Sequence, residues 1–126
     1  MDQHHFLVCN LNGDNEQLEN GEVHWIVPKT AKIGDKAFFF AGIDGIIARG
    51  IIKTAPNKQD AIKLGWENRY SSVVSEIEGY QYGVDANALI DKFPEWKWPT
   101  YPRSYNSVEE KLGEEIEKFI DATART

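Results

Sequence analysis

Apolar and polar positions alternate along residues 23–27 (VHWIV), with Val23, Trp25 and Val27 on one side and His24 and Ile26 on the other. That period of two marks a half-buried strand, and Pro28 ends it because proline has no N–H to donate to a central ladder. The Gly34-Asp35 turn then feeds residues 36–40 (KAFFF), a run without helical period. Strict alternation puts Phe38 and Phe40 on one face and Phe39 on the other. Glycines break the run within residues 41–45, and residues 46–54 (IIARGIIKT) predict a further strand in which Gly50 marks a bulge or bend. Residues 23–56 thus predict the wall of a small β-barrel.

The remaining pattern fits around that wall. Residues 5–10 read as a first strand, followed over 11–22 by a polar, acidic connection with turn signals at Asn12-Gly13 and Asn20-Gly21. Residues 55–66 suit a short helical turn or a loop equally. Residues 69–80 alternate as a strand. Residues 84–93 predict a helix capped by Asp85, with Ala86, Leu89, Ile90 and Phe93 on one stripe and Pro94 as its stop. Residues 95–105 form an aromatic, proline-broken loop. Ser107 followed three residues later by Glu110 reads as a capping box, which predicts a last helix over 107–122 with Val108, Leu112, Ile116, Phe119 and Ile120 facing inward.

A chain of 126 residues is expected to form one domain over 1–126, and 41% apolar with 12% aromatic residues excludes wholesale disorder. No secretory pattern or apolar run of about 18 residues is present, so neither export nor membrane insertion is expected. The lone Cys9, in a strand-like run, suits a buried thiol and a reducing cytoplasm. The net charge of −6 opposes simple binding to phosphates, yet it is unevenly spread. Residues 1–23 carry five acids and no base, residues 24–70 eight bases and four acids, and residues 71–126 six bases and eleven acids. The basic segment is therefore the barrel wall. Histidines and cysteine lack metal-ligand spacing, and no phosphate loop, dinucleotide fingerprint or nucleophile elbow occurs, so no metal, cofactor or catalytic role is expected.

The order Trp25, then Ile33-Gly34-Asp35 with Phe38 to Phe40, then residues 45–52 (GIIARGII), resembles the EVE domain of the PUA-like superfamily, above all members fused to restriction-type nucleases. Arg103-Ser104-Tyr105-Asn106-Ser107 resembles the serine-containing loop those domains carry before their last helix. The resemblance implies an α+β fold, a PUA-like mixed and mostly antiparallel β-barrel of five or six strands flanked by two or three helices. It also implies a non-catalytic module that binds DNA or RNA carrying a modified base, with the base flipped into an aromatic pocket, as in the related YTH readers. On that likeness Trp25 is a pocket wall with Ile26 beside it, Phe40 and Ala41 lie at the floor, and Asn10 and Ser104 are polar partners.

The chemistry of a base agrees with such residues, since flat aromatic faces contribute roughly 1–3 kcal/mol of stacking per base. Trp98 and Tyr105 join Trp25 as candidate walls, and Lys29, Lys32 and Lys36 are candidate phosphate contacts. Each has a plainer reading. A tryptophan alternating with valines is commonly core, Trp96 and Trp98 suit a plug for the barrel end, and Ser104 with Tyr105 suit support for the helix cap. Two other functions stay open. An ASCH-like hydrolase acting on modified nucleosides would use a converging lysine and glutamate, for which Lys36 and Glu76 are the nominees, and a protein-interaction module would present the 95–105 loop as an exposed patch.

Overall fold

The computed structural model describes residues 4–9 and 21–124. Its strands are β1 (His4–Val8), β2 (Val23–Val27), β3 (Lys36–Phe40), β4 (Ile46–Ile52), β5 (Tyr70–Val84) and β6 (Tyr105–Val108). They form one sheet in the order β2-β5-β4-β3-β1-β6. β1 runs parallel to β3, with Phe6 opposite Phe38, and the other pairs are antiparallel. Three helices accompany them among the described residues: α1 (Lys58–Lys63), α2 (Ala86–Lys92) and α3 (Glu110–Thr123). The expected α+β, mostly antiparallel PUA-like architecture is the one found.

The sheet curls until its edge strand β2 meets the end of β1, where the Trp25 indole N–H donates to the Val8 carbonyl at 3.0 Å. Two features let it curl. At Gly50 the pairing of β4 with β5 shifts register, and a β-carbon there would sit 2.7 Å from Val74 Cγ1, so any side chain would force Val74 to move. Glu76 on β5 takes φ 52°, a left-handed kink inside a 15-residue strand. β5 pairs β2 along residues 70–74 and β4 along residues 74–84.

Alternation then sorts the apolar residues as expected. Leu7, Trp25, Phe39, Ala48 and Val74 pack inside the curl. Phe6, Phe38, Phe40 and Ile46 lie on the outer face, covered by Leu89 of α2, Ile116 and Ile120 of α3 and by Trp96. The ends of the first two helices follow their caps: Asn57 Oδ1 accepts from the Asp60 amide at 2.9 Å, and Asp85 Oδ1 from the Ala88 amide at 2.8 Å.

The last helix does not follow the predicted capping box. Residues 105–108 pair with β1 as strand β6, placing Ser107 opposite His5, and α3 begins only at Glu110 with no side-chain cap at Glu109. A free sheet edge at β1 offers the backbone a full ladder, which outweighs one serine-to-amide bond. The 95–105 loop also turns inward. Trp96 is buried, stacks on Trp98 with centroids 6.0 Å apart, and its indole N–H donates to Asn106 Oδ1 at 2.9 Å. Of the expected aromatic patch only Tyr101 is strongly exposed.

Candidate functional site

The end of β1 is the junction from which the candidate site is built. Val8 uses both of its backbone groups there: its amide donates to the Ser104 carbonyl at 3.1 Å and its carbonyl accepts the Trp25 indole N–H. This ties β2 and the loop before β6 to one point. Phe39 meets the Trp25 ring edge-on, with centroids 5.9 Å apart, and Trp66, which follows α1, lies 6.3 Å from it at 63°. Cys9, Ala41 and the half-buried Tyr105 complete the same cluster. Trp25, Ala41 and Tyr105 are therefore brought together, with Ser104 at their rim, as an aromatic group inside the curl.

Other candidates fall elsewhere. Phe40 and Trp98 pack against each other at 5.1 Å on the outer face, so neither stands beside Trp25. The reason is the alternation that puts Phe39, not Phe40, inside. Ile26, next to Trp25 in sequence, is half-buried and points the other way. Asn10 lies outside the described residues. A cleft of about 570 Å³ between the end of α2 and the start of α3 is lined by Trp96 but by none of Trp25, Phe40, Ala41, Trp98, Ser104 and Tyr105.

The lysines separate as well. Lys29 and Lys32 are exposed in the connection after β2, with the Lys29 ammonium 5.9 Å from the centre of the Tyr70 ring. Lys36 is engaged on the outer face, where its Nζ donates to both oxygens of Glu117 at 2.7 and 2.9 Å. Arg49 and His4 also donate to Glu117, at 2.7 and 3.2 Å. Burial pushes the Glu117 carboxyl up, but the hydrogen bonds from Lys36 and His4 and the charges of Lys36 and Arg49 outweigh it and hold the group below the usual carboxylate range. The Lys36–Glu76 pair nominated for amide hydrolysis is accordingly not assembled.

Sequence reasoning missed Ser72. It lies directly opposite Trp25, and its buried hydroxyl has no hydrogen-bond partner among the described residues. Its only signal was its place in an alternating strand, where a serine amid valines reads as neutral.

The sequence matches no known family profile and no curated protein. Solved structures do match. A hypothetical protein from Leishmania major superposes with TM-score 0.74 at 10% identity, over 97% of this chain and 96% of that one. Human THYN1, solved in complex with DNA containing 5-methylcytosine, gives 0.70 at 11% identity, over 95% and 98%. A point mutant of ZmASCH from Zymomonas mobilis gives 0.62 at 8% identity, over 96% and 98%. The curled mixed sheet, its covering helices and these end-to-end superpositions identify the fold of the chain as PUA-like, of the kind shared by EVE and ASCH domains.

Proposed function

We propose that this chain is a nucleic-acid-binding module that holds a modified base, flipped out of its stack, against Trp25, without breaking bonds in it. The observation that carries this reading is the Trp25 cluster: an indole held by Phe39, Trp66 and the Val8 carbonyl, with Tyr105 packed on the same cluster and Ser104 tied to Val8 through its backbone carbonyl. Trp25 is held rigidly but only 8% of its surface is exposed, so a base reaches its face only when the side chains over it move aside, and the neighbouring Ser72 hydroxyl is a hydrogen-bonding group without a partner among the described residues. The likeness of fold to a protein solved with methylated DNA supports the choice of ligand class. Lys29 and Lys32 would meet the phosphates, while Lys36, held by Glu117, would not.

The test is a panel of single- and double-stranded DNA and RNA oligonucleotides, with and without methylated or hydroxymethylated cytosine and methylated adenine, at two salt concentrations. The expected result is salt-sensitive binding with at least tenfold preference for one modified member. Equal affinity for modified and unmodified members removes the base-reading role, and binding to none removes the module reading altogether.

A further inference from the structure

A second constellation lies at the opposite end of β1, away from Trp25. His5 is fully buried on the inward face of β1. Its Nε2 lies 2.7 Å from Asp35 Oδ2, and its Nδ1 lies 2.7 Å from Ser107 Oγ. The Lys32 amide donates to the same Asp35 oxygen at 2.9 Å, which fixes the carboxylate in place. Because a carboxylate oxygen can only accept, Nε2 carries the proton, and in the neutral imidazole Nδ1 then turns its lone pair toward the Ser107 hydroxyl. Ser107 itself is exposed, on the edge strand β6.

We propose that Ser107 is an activated nucleophile, driven by a Ser107–His5–Asp35 relay and competent for acyl transfer from small esters. The connectivity is that of a serine hydrolase, hydroxyl to imidazole to carboxylate, with the two imidazole nitrogens exchanged. In the first step Ser107 Oγ attacks the ester carbonyl carbon and its proton passes to His5 Nδ1. Asp35 faces the resulting imidazolium through Nε2–H. Collapse of the adduct breaks the ester C–O bond, and the departing alkoxide takes the proton from His5, leaving acyl-Ser107 and free alcohol. Water, deprotonated by the same imidazole, then releases the carboxylic acid and restores the serine. His5 and Ser107 are the catalytic residues, and Asp35 is a positioning residue.

The experiment treats the purified chain with a fluorophosphonate probe and locates the adduct by mass spectrometry. One equivalent is expected on Ser107, absent in Ser107→Ala and formed at least tenfold more slowly in His5→Gln. Asp35→Asn should slow labelling and Asp35→Glu restore part of the rate. No adduct on Ser107, or an unchanged rate in His5→Gln or Asp35→Asn, overturns the proposal. If His5→Gln fails to fold, Ser107→Cys is compared with Ser104→Cys for alkylation by iodoacetamide. A tenfold faster reaction at position 107 upholds the relay, and equal rates overturn it.

Discussion

Trp25 has 8% of its surface exposed and its N–H is committed to the Val8 carbonyl, so it is core as well as candidate wall. Truncation to alanine would remove a packed indole at about 3–5 kcal/mol, a large part of the roughly 5–15 kcal/mol that a small domain has in total. Trp25→Ala therefore cannot separate binding from folding. Trp25→Phe can, because a ring still fills the curl while the stacking face shrinks and the bond to Val8 is lost. It should lower stability by about 1–2 kcal/mol and weaken binding of the preferred modified oligonucleotide by about 1 kcal/mol or more, leaving the unmodified control unchanged. Thermal denaturation and titration of both oligonucleotides check this, and an equal loss for both would assign Trp25 to the core alone.

The C-terminal helix shows where local signals and tertiary structure part company. Its apolar stripe was readable because Ile116 and Ile120 recur at helical spacing, and both are fully buried. Its start was not readable, because pairing Ser107 with His5 is decided by a strand 102 residues away. The helix is held to the sheet by a close approach and an ionic hub. At Gly113 a β-carbon would overlap the ring of His4, which is itself buried. Gly113→Ala should therefore destabilise the protein, although alanine is favoured in a helix interior by about 1 kcal/mol; a rise in Tm would refute that contact. At Glu117 the folded-state pKa lies below the ordinary 4.5, so its stabilising contribution is present above that pH and fades as pH falls through the folded value. Glu117→Gln should lower stability at pH 7 and flatten the loss of stability below about pH 4.5. Urea titrations on either side of the ordinary carboxylate range check the sign.

At the scale of the whole molecule, the fold was legible and the site only half so. The Val23–Val27 alternation, the turn before Asp35 and the register break at Gly50 are local and carry their own signals, and they build the curl. What Trp25 meets depends on the curl closing. That is why Ala41 was named through the resemblance and Tyr105 only as an aromatic of the late loop, while Phe40 and Trp98 went to the other face and Ser72 went unnoticed. The same sorting applies to charge. Under the proposed reading a chain of net charge −6 needs a local basic surface to meet phosphates, and of the three candidate lysines only Lys29 and Lys32 are free of a carboxylate in the described contacts. Each phosphate neutralised on duplex DNA contributes about 0.9 to the slope of log affinity against log salt. Replacing both lysines with alanine should then make that slope shallower by roughly 1.8 and weaken binding to modified and unmodified duplexes alike, because phosphate contacts carry no base information. Replacing Lys36 should leave the slope unchanged and instead lower stability, since it strips Glu117 of a cation held at 2.7 Å. If the slope stays the same in the double variant and falls with Lys36, the nucleic acid lies across the outer face of the sheet and the Trp25 cluster is not where it binds.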